Sequence, residues 1–272
     1  MIQTNQSTPN AGDAPAFVDT HCHLDDDSFG ADLDAVLDRS RALGVSRWIN
    51  VGFNPDRWQP SIDLADRYSG MSFMLGLHPG DAARWTDDVQ ADLRELAERV
   101  PLVAIGEIGL DFYRGETNGE EQVAAFQAQL DLALEHSLPA TIHMRSAEHQ
   151  VLEVLKSRRR TPPLVFHSFD GSQELTNWIL ANDAYVGVGG LATRTKSHLI
   201  HQQIRRLPVD RLLLETDSPY LVPNSFKHRR NTPESIRRIA SFVATLLNTD
   251  VGHIASQTTR NAERCFERLQ PE

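Results

Sequence analysis

The sequence predicts an α/β protein with the (β/α)8 TIM-barrel fold, and three observations support this prediction. Eight short apolar segments rich in Val, Ile and Leu alternate with amphipathic helical segments. The length of 272 residues suits a barrel that forms one domain. The runner-up is an open doubly wound sheet, but no glycine-rich phosphate loop follows the first strand to support it.

The predicted strands are apolar on both faces, as is typical of parallel strands that are covered on both sides. They span 16–20, 47–52, 72–77, 102–107, 139–143, 164–167, 184–189 and 211–216. Apolar residues at helical spacing predict helices over 31–43, stopping at Gly44, and over 120–136. A third helix is expected to start at Asn231 or Thr232, which can cap it, and to run through about Leu247.

The composition is that of an ordinary globular protein, with 40% hydrophobic and 24% charged residues. No apolar run approaches the ~18 residues of a membrane span. The net charge of −10 disfavours a module that wraps duplex DNA, although a nuclease with local cations stays compatible. Cys22 and Cys265 offer no disulfide framework, so we expect a reducing, cytoplasmic setting.

Residues 1–15 are polar and have neither the basic start nor the apolar centre of a secretory signal. We therefore expect a disordered N-terminal tail over 1–15, followed by a single domain over 16–272. No obligate protein partner is evident from the sequence, and no membrane partner is expected. No exposed apolar stripe stands out, so the sequence does not determine the oligomeric state.

Side chains that bind metals stand at the predicted C-terminal ends of six strands, where a barrel carries its catalytic groups. They are His21, His23, His78, Glu107, Asp111, His143, His167 and Asp217. Four of these histidines with two carboxylates exceed the needs of one zinc ion and suit two divalent ions, with Glu107 as the natural bridge. Mixed nitrogen and oxygen ligands favour Zn²⁺, Mn²⁺, Co²⁺ or Ni²⁺, while Mg²⁺ could act in the position poorer in nitrogen.

Nine motifs follow one another along the chain. They are FVDTHCHLD, GLHPG, AIGEIGLDFY, LPATIHMRSA, FHSFDGS, YVGVGG, LLLETDSPYLVP, RRNTPESI and TTRNAERCF. Over about 17–268 this ordered set resembles the TatD-type metal-dependent deoxyribonucleases of the amidohydrolase superfamily. The resemblance implies a TIM barrel with two metal ions that hydrolyses phosphodiester bonds of DNA, often as a 3′-to-5′ exonuclease.

The resemblance also implies a ligand set. His21, His23 and Asp217 with bridging Glu107 would hold one ion, and Glu107, His143 and His167 would hold the second. The chain departs from the family pattern at Gly80, where many members have a second histidine, and at HSFDG, where many read HCFSG. These departures are typical of a less characterised branch, and they affect the expected substrate more than the metal chemistry.

The expected reaction is attack on phosphorus by a water that the metal ions activate. Asp217 is the predicted catalytic base, because a ligand carboxylate with a free oxygen lies within reach of that water, and Glu107 is the second catalytic carboxylate. The predicted phosphate contacts are His78, Arg145, Arg194, Lys227, His228, Arg229 and Arg230. The basic run at 156–160 ends a helix and is expected at the opposite end of the barrel.

Several alternatives stay open at this point. The main alternative function is an amidohydrolase that cleaves a C–N bond of a small molecule, and a smaller one is a barrel that keeps its metals without catalysis. Tyr113 and Tyr220 can stack on bases or cover the rim of the core. Asp19 can orient an imidazole or be an ordinary loop acid, and His78 can contact phosphate or orient a ligand.

Overall fold

The chain forms the predicted barrel, seen in a computed structural model that describes residues 16–113, 115, 118–226 and 229–271. Eight parallel strands hydrogen-bond to one another in chain order. They are β1 (Phe17–Cys22), β2 (Val45–Gly52), β3 (Met71–Leu75), β4 (Ile105–Asp111), β5 (Ala140–Arg145), β6 (Leu164–Phe166), β7 (Tyr185–Val188) and β8 (Leu212–Leu214). The tail predicted over 1–15 lies outside the described residues.

Helices connect the strands and form the outer layer. They are α1 (Leu33–Ala42), α2 (Pro55–Arg67), α3 (Asp87–Arg99), α4 (Gly119–Glu135), α5 (Glu148–Ser157), α6 (Gln173–Asn182), α7 (His198–Ile204), α8 (Ile236–Leu246) and α9 (Val251–Cys265). The helices predicted over 31–43 and 120–136 correspond to α1 and α4. Just beyond α1, Gly44 has a φ of 84°, a conformation that glycine adopts without strain.

The third predicted helix begins later than expected. The buried amide of Asn231 donates to the Thr216 carbonyl oxygen at 2.8 Å, and the Thr232 hydroxyl donates to Glu234 at 2.9 Å. Both side chains are therefore engaged elsewhere and do not cap the helix. A 3₁₀ turn over Pro233–Ser235 precedes α8 instead.

The fourth strand was predicted over 102–107 but lies over Ile105–Asp111. Its register against β5 shifts between Gly106 and Ile108, and the glycines break the apolar run by which a buried strand is recognised. Glu107 therefore lies within β4, and its position at a strand end was a wrong prediction. Glu107 is nevertheless buried, with a relative exposure of 4% for the residue.

Backbone hydrogen bonds join the segment after β8 to β1. The amide of Asp217 donates to the His21 carbonyl oxygen at 2.8 Å, and the amide of His23 donates to the Ser218 carbonyl oxygen at 2.7 Å. These bonds bring the first and last strands of the barrel together. They also place the Asp217 side chain beside His21 in β1 and His23 just after it.

Two apolar clusters hold the layers together. The larger one lies between strands and helices and includes Phe17, Trp48 and Phe126, all fully buried. The smaller one joins Val18 and Leu213 from two strands to Phe266, which follows α9. Helix α9 thus packs against the barrel wall. Within the described residues, no helix has the length and apolarity needed to cross a membrane.

Candidate metal centre

The six side chains predicted to bind metal meet at one end of the barrel. They form two groups whose ligand atoms lie within 4.8 Å of one another, namely His21, His23 and Asp217, and Glu107, His143 and His167. Two of the ligands come from β4 and β5, and two come from β1 and the segment just after it. The other two come from the segments that follow β6 and β8. Because parallel strands of a barrel end on the same side, ligands far apart in sequence converge there.

Glu107 lies between the two groups. Its Oε1 atom is 2.6 Å from Nδ1 of His143 and 2.9 Å from Nε2 of His167. Its Oε2 atom is 3.4 Å from Nε2 of His21. One carboxylate thus faces ligands of both groups, which is the arrangement a bridging ligand needs.

Asp217 belongs to the first group. Its Oδ1 atom lies 3.2 Å from Nε2 of His23 and 3.9 Å from Nε2 of His21. Its backbone φ is 56°, in the left-handed region that few residues other than glycine adopt. Such backbone conformations concentrate at functional sites, where the surrounding structure holds them in place.

The imidazoles of this cluster are buried with unsatisfied nitrogens. Within the described residues, both ring nitrogens of His21 and the Nδ1 atoms of His23 and His167 make no hydrogen bond. Buried polar atoms without a partner are costly, and of these atoms Nε2 of His21, which faces Glu107 and Asp217, is the one placed to bind a ligand that is not part of the chain. Nitrogen and carboxylate donors converging on one point fit divalent cations of the Zn²⁺ or Mn²⁺ type.

Neighbouring imidazoles lower the pKa values of the two carboxylates in the cluster. Burial opposes ionisation of Glu107, but the imidazoles of His167 and His143 hold the pKa of its carboxyl well below the ordinary value. Burial likewise opposes ionisation of Asp217, and the hydrogen bond from His23 lowers its pKa. Both carboxylates are therefore ionised near neutral pH and are available to a cation.

His78 and Asp111 extend the cluster on the side of His143. Asp111 Oδ2 is 3.2 Å from Nε2 of His143, and His78 Nε2 is 3.9 Å from Oε1 of Glu107. Nδ1 of His78 accepts a hydrogen bond from the Gly80 amide at 2.9 Å. Burial lowers the pKa of His78 to about 4, so its imidazole stays neutral and its Nε2–H points toward the cluster.

Two buried carboxylates support the ligands from behind. Asp19 is fully buried and accepts hydrogen bonds from the amide and the hydroxyl of Thr216, at 2.9 and 2.5 Å. Burial raises its pKa to about 8. Asp19 thus ties β1 to the segment that carries Asp217.

The second supporting carboxylate, Glu215, was not singled out from the sequence. It is 1% exposed, accepts a hydrogen bond from the Ser168 amide, and places Oε1 3.6 Å from Nδ1 of His167. Gly187 makes room for it, because a Cβ at that position would lie 1.8 Å from Glu215 Oε2. The signal in the sequence was the pair of acids in LLLETD, two residues apart, of which only Asp217 was chosen.

A cavity of about 690 Å³ opens over the ligands, and three of the predicted phosphate contacts, His78, Arg145 and Arg194, line it. Arg145 lies with its guanidinium 3.7 Å from the centre of the Tyr113 ring, and Arg194 is exposed at the rim. Tyr220 also lines the cavity. Cations therefore stand beside the ligands, as an anionic substrate requires.

The cations after β8 are placed differently. Arg230 forms an ion pair with Asp32 at 2.8 Å and lies over the Phe29 ring, so its charge is engaged away from the cavity. Arg229 is exposed and is not among the residues that line the cavity. Lys227 and His228 lie outside the described residues.

Comparison with known proteins gives a consistent result. Residues 18–267 match the family model described as TatD related DNase. The metal-dependent hydrolase YabD of Bacillus subtilis is 34% identical over 249 residues, which cover 91% of this chain and 98% of that protein. The 3′-5′ ssDNA/RNA exonuclease TatD of Erwinia tasmaniensis is 36% identical over 255 residues, covering 91% and 98%.

Solved structures show the same likeness. The crystal structure of YJJV, a TatD homologue from Escherichia coli, superposes with a TM-score of 0.87 at 32% identity, covering 92% of this chain and 98% of that one. An organophosphorus hydrolase from Deinococcus radiodurans shares only the fold, with a TM-score of 0.62 at 14% identity.

Proposed function

The chain belongs to the TatD-related DNase family, metal-dependent hydrolases of phosphodiester bonds, and we propose from this that it releases nucleotides from the 3′ end of single-stranded DNA. The observation that carries the proposal is Glu107, whose carboxylate faces His143, His167 and His21 at once. The C–N-cleaving alternative is not favoured, because the family model and the named exonuclease relatives are nucleases.

We propose that two divalent ions bind here, one at His21, His23, Asp217 and Glu107 and the other at Glu107, His143 and His167. Candidates are Zn²⁺, Mn²⁺, Mg²⁺, Co²⁺ and Ni²⁺. When bound, such ions lower the pKa of water and neutralise charge on the phosphoryl oxygens. The proposal is supported by the unpartnered imidazole nitrogens and by the two ionised carboxylates.

Side chains of the protein would accept the proton of the water and bind the phosphate. Asp217 would orient the attacking water and accept its proton, because its pKa is low enough for it to be ionised and it lies at the cavity wall. Arg145 and Arg194 would contact the phosphate, and His78 would donate its Nε2–H toward it or toward Glu107. Arg230 is not part of this proposal, because Asp32 holds its guanidinium.

We further propose that 16–272 acts as one catalytic domain in the cytoplasm. Cys22 and Cys265 are both buried and unpaired, which is compatible with a reducing compartment.

The test of direction uses single-stranded DNA oligonucleotides protected by phosphorothioate linkages at one end. We expect protection of the 3′ end to stop nucleotide release and protection of the 5′ end to leave it unchanged. Circular single-stranded DNA should resist cleavage. Cutting of the circle, or release that only 5′ protection stops, would contradict the proposed direction.

A further inference from the structure

A groove of about 710 Å³ lies beside the cavity, between helix α8 and the segments that follow β7 and β8. We call it the α8 groove and define it by Thr195, Asn224, Arg237, Arg238 and Phe242. None of these residues contacts the metal ligands, and the function proposed above does not use them. The groove combines guanidinium, amide and hydroxyl donors with two aromatic rings, those of Phe226 and Phe242.

The α8 groove and the cavity share their walls. Leu191 and Arg194 line the cavity, and Thr195 of the same segment lines the groove. The amide of Asn224 donates to the Thr193 hydroxyl at 2.8 Å, which joins the two segments. Arg237 and Arg238 lie in the first turn of α8, the helix that follows β8, so they stand at the same end of the barrel as the metal ligands.

The charge of the groove is positive in a chain whose net charge is −10. Arg237 is exposed, and its side chain forms no hydrogen bond or ion pair with any part of the chain that the structure describes. Arg238 donates to the Asn224 carbonyl oxygen at 2.9 Å, which holds it along the wall. The acid of the groove, Glu234, is paired with Arg39 at 3.1 Å and contributes little free negative charge.

The surface on the β1 side of the cavity has the opposite character. A depression after β1 is lined by five carboxylates, from Asp25, Asp26, Asp27, Asp32 and Asp34. Three arginines, Arg57, Arg67 and Arg230, pair with four of them, so acids still exceed bases there. A phosphate chain leaving the cavity is repelled there and attracted toward Arg194 and the α8 groove. The difference in charge between the two surfaces therefore favours the groove as the path of a strand that is longer than one nucleotide.

We propose that the α8 groove binds the part of a single-stranded substrate that extends beyond the nucleotide being released. Single-stranded nucleic acid is recognised by cations that track the backbone and by aromatic rings on which bases stack. Arg237 and Arg238 supply the cations, and the partly exposed Phe242 supplies the ring. This inference rests on the proposed nuclease function, which it extends from the reacting phosphate to the rest of the strand.

The test compares Arg237→Ala/Arg238→Ala with wild type and with Arg159→Ala/Arg160→Ala. The control removes the same two charges from exposed positions just after α5, at the opposite end of the barrel. The probe is a fluorescent, fully phosphorothioate DNA dodecamer, whose binding is followed by anisotropy with metal present. Turnover of a dinucleotide is measured in parallel, because it is too short to reach the groove.

We expect the groove variant to bind the dodecamer about tenfold more weakly than wild type, and the control to stay within about twofold. The slope of log affinity against log salt should shrink by about 0.7 per lost phosphate contact. Dinucleotide turnover should stay within about twofold in both variants. The single variant Arg237→Ala, which removes no hydrogen bond or ion pair to the described residues, should show a smaller change in the same direction.

Equal dodecamer binding by wild type and groove variant would overturn the proposal, as would an equal loss of dinucleotide turnover. If the variant pattern appears but wild type releases no nucleotide from any substrate, the groove stands and the nuclease function fails. If nucleotides are released and the variants bind alike, the function stands and the groove fails.

Discussion

The carboxylate of Glu215 faces the imidazole of His167, with 3.6 Å between Oε1 and Nδ1. A carboxylate in this position favours the tautomer that carries its proton on Nδ1, and so leaves Nε2 free to bind a cation. Nε2 is the atom that lies beside Glu107, at 2.9 Å. Metal binding by His167 should therefore depend on Glu215, which holds the opposite side of the imidazole ring.

Glu215→Gln is expected to weaken metal binding by about ten- to a hundredfold. Glutamine keeps the size of the side chain but can turn an N–H toward Nδ1 of His167, which favours the wrong tautomer. Chelator competition measures the affinity, and circular dichroism checks the fold. Glu267→Gln, at an exposed position, is the control, and unchanged metal affinity in Glu215→Gln would refute the positioning role.

Gly187→Ala, a substitution in β7, should also weaken metal binding. The added Cβ would lie 1.8 Å from Glu215 Oε2, so the carboxylate must move away from its place. Gly30→Ala is the matched control, because its Cβ meets nothing closer than 3.4 Å. We expect weaker metal binding for Gly187→Ala alone, and a metal affinity equal to that of the control would show that Glu215 tolerates displacement.

Asp217→Asn is expected to lower kcat by about 10²- to 10⁴-fold, because the amide cannot accept the proton of the attacking water. The neighbouring backbone bond to the His21 carbonyl does not involve this side chain, so the fold should persist. The exposed Asp66→Asn is the control for the charge change. Near-normal turnover in Asp217→Asn would assign the base to another residue.

The stability of the protein should depend on pH through Asp170, at the cavity wall. Asp170 is exposed on one side, but partial desolvation at the cavity wall raises the pKa of its carboxyl above 3.8, and the nearby Glu148 carboxylate adds to the effect, so a small change in stability is expected. The folded state then binds the proton more tightly than the unfolded state, so this stabilisation is complete below the unfolded pKa. It is lost as pH rises through the folded pKa.

The melting temperatures of wild type and Asp170→Asn are measured at about five pH values between about 3.5 and neutral. Asn keeps an oxygen that can accept from the Ser172 amide, as Asp170 does at 3.0 Å, but it does not titrate. We expect Asp170→Asn to gain stability relative to wild type as pH rises. A difference that does not change with pH would mean that the pKa of Asp170 is the same in both states.

The sequence predicted the barrel and the ligand cluster, because both depend on residue type and strand order. Strands that carry His21, His143 and His167 at or near their C-terminal ends must bring those side chains together once the barrel closes, so the ligand cluster could be foreseen. The barrel itself followed from the alternation of strands and helices. Helix α9 was not predicted.

Side-chain partners far along the chain could not be foreseen. Arg230 looked like its neighbour Arg229, but an ion pair with Asp32, 198 residues away, decides where its charge lies. The position of Glu215 depends on the Ser168 amide, which follows β6, and on the space left by Gly187 in β7. Such relationships arise from packing, which local sequence patterns do not encode.

Metal-dependent catalysis is tested by nucleotide release from short single-stranded DNA, using protein that has been stripped of metal and then titrated with Mn²⁺. We predict no release before metal is added, and activity that rises to a plateau near two equivalents per chain. Full activity in the stripped protein would contradict the metal-dependent mechanism, and a plateau at one equivalent would contradict the second ion.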